Sequence, residues 1–136
     1  MKIKTHKLNE NAIIPSRVHD TDAGADCFTT EMIMLKPHEE QTIGVGVGVE
    51  IPNGYVGLLL PKSSMNRDKV DCKTGVIDSG YTGEIKAIIR NANDEPICLP
   101  KGKAICQLVI VPCAMCDFVE EVKDDRGNGG FGSTRR

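Results

Sequence analysis

Asp78 and Tyr81 stand in a run of glycines, Gly75-Val76-Ile77-Asp78-Ser79-Gly80-Tyr81-Thr82-Gly83-Glu84-Ile85. A carboxylate and an aromatic ring beside bare backbone could form a pocket. Main-chain groups would read the ligand, the acid would act as general base and the ring would be a wall. The same residues would also make an ordinary β-hairpin with a solvated Asp, and this stretch alone supports both readings equally. Asp26 directly precedes Cys27-Phe28, where a strand begins. A carboxylate at a strand edge can reach a metal ion or its water shell. Asp20 and Asp22 have turn chemistry and are read as that. Lys62-Ser63-Ser64 opens the one helical pattern, over 63–70. Paired serines can cap it, and the free amides of a first turn beside a lysine suit a phosphate; capping alone would also account for them. Gln107 shares a strand face with Ile105 and Val109, so it either contacts a ligand or lies at a sheet edge.

These residues need elements to position them, and the patterns point to strands. Thr42 to Ile51 alternates branched residues with glycine, which predicts one strand burying Ile43, Val45, Val47, Val49 and Ile51. Its glycine face is suited to close approach by a second sheet or another chain. Pro52-Asn53-Gly54 predicts a hairpin turn into a strand at 55–60, and Gly75 to Ile85 predicts strand, tight turn and strand. Residues 2–8 form an edge strand, and 85–89, 96–99 and 105–112 complete the set. Short, regularly spaced strands with turn signals between them indicate an all-β sandwich, jelly roll or barrel.

The chain has 136 residues, enough for one domain with one core. Its net charge of −2 gives no overall attraction to nucleic acid or an anionic membrane, so a polyanionic ligand needs local cations or a metal ion. No apolar run is long enough to span a bilayer, and Met1 to His6 carries no apolar signal segment. A reducing cytoplasmic setting is therefore expected, with most of the six cysteines packed as small core residues. Cys113-Ala114-Met115-Cys116 has the spacing of half a zinc site but lacks a second pair. The stretch from Asp124 to Arg136 is mostly glycine and charge and cannot form core. Its Arg126, Phe131, hydroxyls and free amides are the parts of a phosphate clamp, although a plain disordered tail has the same composition.

Taken in order, Ala23-Gly24-Ala25-Asp26, Pro61-Lys62-Ser63-Ser64, Gly75 to Gly83, Gly102 to Leu108 and Arg126 to Thr134 resemble the five motifs of the trimeric deoxyuridine triphosphatases. The resemblance covers nearly the whole chain. It implies a distorted jelly-roll, β-clip-type barrel over 1–122 with one short helix, and a flexible glycine-rich C-terminal arm over 123–136. It also implies a homotrimer whose active sites are shared between chains, the arm of one closing over a pocket made by others. The implied reaction is hydrolysis of dUTP to dUMP and pyrophosphate with Mg²⁺ on the triphosphate, removing dUTP and supplying dUMP for thymidylate synthesis.

The implied roles fall on matching positions. Asp78 activates the water that attacks the α-phosphorus, and Asp26 holds Mg²⁺ through water. The backbone of Gly75, Val76 and Ile77 reads uracil, and Tyr81 lies against the sugar and excludes a 2′-hydroxyl. Lys62, Ser63, Ser64 and Gln107 form the phosphate seat. Arg126, Gly132, Ser133 and Thr134 close on the γ-phosphate while Phe131 stacks on the base. Three positions depart from the family pattern. Lys62 replaces an Arg, exchanging a two-pronged donor for a point charge. Lys103-Ala104 replaces Asp-Arg, and Cys72 stands where some members carry Asn. The alternatives are a deoxycytidine triphosphate deaminase of the same fold, a non-catalytic dUTP-binding regulator and a structural trimer. The deaminase would need a Glu where this chain has Ile88; the other two would not need Asp78 or the residues of the tail.

Overall fold

The computed structural model describes residues 1–122. Eleven strands and one five-residue helix form a jelly-roll-like β domain. The strands are β1 (Lys4–Lys7), β2 (Ala25–Phe28), β3 (Ile33–Leu35), β4 (Glu40–Gly44), β5 (Val47–Glu50) and β6 (Tyr55–Leu60). The helix α1 (Ser63–Arg67) follows, then β7 (Val70–Cys72), β8 (Gly75–Ile77), β9 (Lys86–Asn91), β10 (Ile97–Leu99) and β11 (Ala104–Pro112). They form a four-stranded sheet in the order β2-β11-β6-β8, a three-stranded sheet β4-β9-β7, and the pairs β1-β5 and β3-β10. Every pairing is antiparallel.

The Gly/Val alternation buries all five expected side chains, Ile43, Val45, Val47, Val49 and Ile51. It does so as two strands rather than one. The backbone turns at Gly46, where φ is +74°, so β4 pairs with β9 and β5 pairs with β1. Only glycine adopts that φ without strain. Within the chain the glycine face meets the segment after the Asp78 turn rather than a second sheet: a Cβ on Gly48 would lie 2.3 Å from the Thr82 carbonyl oxygen, and one on Gly44 would lie 2.3 Å from a Glu84 carboxylate oxygen.

The two expected hairpins are also corrected. Pro52 to Gly54 is a turn, with the Tyr55 amide donating to the Pro52 carbonyl at 3.2 Å and Gly54 at φ +88°. The strands it joins do not pair; β6 lies between β11 and β8. Likewise β8 and β9 flank the Asp78 turn but belong to different sheets. Turn chemistry is local, whereas pairing follows from which apolar faces can close one core.

Three cysteines, Cys27, Cys72 and Cys106, are core residues, while Cys98, Cys113 and Cys116 are exposed, so the expectation that most would be buried holds for half of them. Asn91 is fully buried between the strands. Its Nδ2 lies 2.8 Å from the Glu95 carbonyl oxygen and 3.1 Å from that of Lys36, and its Oδ1 accepts from the Asn93 amide at 2.9 Å. Where Lys103-Ala104 replaces Asp-Arg, Thr29 holds the turn. Its Oγ1 donates to the Pro100 carbonyl at 2.8 Å and accepts from the Lys103 amide at 3.0 Å.

Candidate active site

The expected site residues gather into two groups at opposite edges of the four-stranded sheet. The first is built across β2, β11 and β6. Asp26 of β2 is the register partner of Gln107 of β11, which in turn faces Leu60, the last residue of β6. The chain leaving β6 folds back at Pro61 and brings Lys62 over the same row. Lys62 Nζ donates to Asp26 Oδ1 at 2.5 Å, with the two side chains only 21% and 14% exposed. Gln107 Nε2 donates to the Pro61 carbonyl at 3.0 Å, so this polar side chain on a core strand has its partner.

The helix is shorter than the 63–70 expected, and the serines do not cap it. Lys62 is the N-cap residue and offers no side-chain bond; Ser63 and Ser64 lie in the first turn. The first helical bond runs from the Asn66 amide to the Lys62 carbonyl at 3.0 Å. The amides of Ser63, Ser64 and Met65 therefore have no acceptor within the helix.

Two residues outside the expected set complete this group. Ser16 bridges to Asp26 in an isolated antiparallel pair, its carbonyl accepting from the Asp26 amide at 2.8 Å, and so anchors that residue's backbone. Nothing in the spacing of Ser16 pointed to this. Gly24 lies under Gln107: a Cβ there would stand 2.1 Å from Gln107 Oε1. The glycine two residues before Asp26 was the available signal.

The second group is the Asp78 turn. The Tyr81 amide donates to the Asp78 carbonyl at 3.0 Å, which closes the turn. Asp78 is exposed, and Tyr81 Oη donates to the Glu84 carbonyl at 2.6 Å. A cavity of about 220 Å³ is lined by Val76, Ile77, Asp78, Tyr81, Glu84 and Lys86. Among the described residues, β8 has a strand neighbour on one edge only, β6, so its other edge presents main-chain groups. A larger cavity of about 530 Å³, lined by apolar residues such as Ile3, Tyr55 and Ile110, contains none of the expected site residues.

Between Asp26 on β2 and the turn after β8 lie β11 and β6, or three strand spacings of roughly 4.8 Å, about 14 Å across the sheet. The offset along the strands adds to that, because Asp78 follows Ile77, whose partner Gly57 is three residues before Leu60. One chain therefore does not bring Asp26 and Asp78 together. Arg126, Phe131, Gly132, Ser133 and Thr134 lie outside the described residues.

Behind the first group, the thiols of Cys27, Cys72 and Cys106 meet. Contacts with Cys27 and Cys72, together with burial, push the Cys106 thiol up, whereas the hydrogen bond with Cys106 holds Cys72 below the usual thiol range. Among the described residues, no three His, Cys, Asp or Glu side chains are grouped so as to hold a metal ion.

The dUTPase family model matches residues 10–135. The chain belongs to the dUTPase family. This is a family of dUTP diphosphatases. The deoxyuridine 5′-triphosphate nucleotidohydrolase of Clostridium kluyveri is 36% identical over 140 residues, covering 98% of both chains. Among solved structures, a dUTPase from phage phi11 of S. aureus, described with a structural Mg(II) ion, superposes with a TM-score of 0.86 at 30% identity, covering 92% of this chain and 99% of that one. A variant of the Staphylococcus bacteriophage 80alpha dUTPase, solved with dUpNHpp, gives 0.85 at 34% identity and covers 97% of each. The segments that carry the dUTPase motifs and fall within the described residues are those that build the two groups above.

Proposed function

We propose that the chain hydrolyses dUTP to dUMP and pyrophosphate as a homotrimer, each active site joining the Asp26 group of one subunit to the Asp78 group of another. The observation that carries this reading is the separation of those groups within one chain. A base reader and a phosphate seat acting on one nucleotide must lie within its length and face each other. Two edges of one sheet do not, whereas two copies can. The segment after β11 adds support: Met115, Phe118, Val119 and Val122 are exposed, with Phe118 97% accessible, as expected of chain that packs against another copy.

Within such a site the free edge of β8 would offer its amides and carbonyls to uracil. Tyr81 would lie along the deoxyribose. Asp78 would accept a proton from water as that water attacks the α-phosphorus in line, and pyrophosphate would leave. Lys62, the first-turn amides at Ser63 and Ser64, and Gln107 would bind phosphate oxygens. Arg126, Gly132, Ser133 and Thr134 would close on the γ-phosphate and Phe131 on the base, excluding bulk water.

The donor set fits Mg²⁺ held by Asp26 through ordered water. Asp26 is a single, largely buried carboxylate whose Oδ1 already accepts from Lys62 Nζ, so it cannot enclose the ion, and Mg²⁺ keeps several waters when phosphates supply its direct ligands. When bound, the ion would neutralise charge on the triphosphate.

The test is incubation with each deoxynucleoside triphosphate and with UTP in Mg²⁺, measuring pyrophosphate and the base recovered. Pyrophosphate from dUTP alone is the expected result. A uracil nucleotide formed from dCTP would point instead to the deaminase. Ile88 stands at the position where that enzyme needs a carboxylate, and it is half-buried on β9.

A further inference from the structure

The turn that carries Asp78 and Tyr81 returns to the core at the break between β4 and β5. Ile85 occupies the gap: its amide donates to the Val47 carbonyl at 2.9 Å, and its carbonyl accepts from the Val45 amide at 3.0 Å. Between those bonds the Gly46 amide donates to the side chain of Glu84, at 2.9 Å from Oε2. A carboxylate thus takes the place of a strand partner where the strand is broken. The fit leaves little slack, since a Cβ on Gly44 would stand 2.3 Å from Glu84 Oε2. The main chain of the same residue holds the aromatic wall, because Tyr81 Oη donates to the Glu84 carbonyl at 2.6 Å. The Tyr81 ring also lies over Gly83, where a Cβ would be 2.9 Å from Oη.

We infer that Glu84 is a positioning residue for substrate discrimination: its carboxylate, pinned on the Gly46 amide, fixes the peptide from which Tyr81 hangs. Without the carboxylate, the Gly46 amide is buried with no acceptor and residue 84 is held only by its neighbours. The Tyr81 ring then has room to move, and the space closed to a 2′-hydroxyl opens. The effect travels through Tyr81, so it appears in the choice between deoxyribose and ribose rather than in the chemical step. Glu84 itself lines the cavity but is spent on the backbone amide. The inference rests on the reading of Tyr81 as the sugar wall.

The experiment measures kcat/KM for dUTP and UTP in Glu84→Ala, Glu84→Gln, Gly44→Ala and Tyr81→Ala, with thermal unfolding of each. Loss of one hydrogen bond corresponds to about a tenfold fall in the dUTP-to-UTP preference for Glu84→Ala. Glu84→Gln keeps an acceptor for Gly46 and should keep the preference. Gly44→Ala pushes on the carboxylate from the other side and should lower the preference, which tests the inference even if Glu84→Ala fails to fold. A role in stability alone would reduce both substrates equally and leave the ratio unchanged. An unchanged ratio in folded Glu84→Ala or in Gly44→Ala, or a Gln variant as impaired as Ala, would overturn the assignment. Tyr81→Ala separates the two layers. If it loses the preference while the Glu84 variants keep it, only the Glu84 inference fails; if it also keeps the preference, the Tyr81 reading has failed first.

Discussion

Lys62 and Asp26 form the shortest side-chain ion pair among the described residues, 2.5 Å from Nζ to Oδ1 across 36 positions of sequence. The lysine stands where the family usually has arginine. An ammonium is a compact point charge that one carboxylate can hold, whereas a guanidinium could keep that carboxylate and still offer a second prong. Lys62 must therefore divide its single charge between Asp26 and an incoming phosphate. Lys62→Met should weaken binding of dUpNHpp in Mg²⁺ by about 10- to 100-fold, the loss expected for a hydrogen bond to a charged group. Lys62→Arg should bind at least as tightly as the wild type. Titration calorimetry reads both, and undiminished binding by the Met variant would remove Lys62 from the phosphate seat.

Asp78 is exposed on a closed turn, and among the described residues no side-chain bond ties it down. Asp78→Asn keeps its size and removes the ability to accept a proton from water. Turnover of dUTP should fall by about 10²- to 10⁴-fold, the usual worth of a general base, while dUpNHpp affinity stays near that of the wild type. Normal turnover in this variant would assign the base elsewhere.

What could be read in the sequence was local. The burial of Ile43, Val45, Val47, Val49 and Ile51 followed from period-two alternation, and the turns at Pro52 to Gly54 and at Asp78 followed from residue type. The strand break at Gly46 did not, because glycine in an alternating pattern looks the same whether or not its φ is positive. The pairing partners of β6 and β8 did not either, since they depend on distant strands. Motif order singled out Asp26, Lys62 and Gln107 one by one. That Lys62 spans to Asp26, and that Gly24 is small because Gln107 lies over it, are facts of the folded sheet.

The thiols offer a check on the core. Cys27, Cys72 and Cys106 are buried, so no more than three of the six cysteines should react with a thiol reagent in the native protein, and all six should react once it is unfolded. Among the buried three, Cys72 should be modified first as native protein is opened gradually by denaturant. It is the least covered of the three, 8% exposed against 1% for Cys27 and 0% for Cys106, and it lies on β7 at the edge of its sheet, while its contact with Cys106 holds its thiol below the usual range and that of Cys106 above it. Mass spectrometry of iodoacetamide-labelled peptides gives the order. Early labelling of Cys106 would mean that β2 and β11 do not pack as described.

The separation of Asp26 from Asp78 leads to a complementation experiment. Asp26→Asn and Asp78→Asn should each be nearly inactive as pure proteins. If each site takes Asp26 from one subunit and Asp78 from its neighbour, co-refolding equal amounts builds some sites from the intact half of each. In a closed symmetric oligomer with random mixing, each half is intact with a chance of one in two, so activity should return to about a quarter of wild type. A single-chain site gives no recovery at all, since every chain then carries one defect in its own site. Activity measured after co-refolding, against each variant refolded alone, distinguishes the two. Recovery near a quarter supports the shared site, and its absence in mixed oligomers would return both carboxylates to one chain, against the roughly 14 Å that the sheet puts between them.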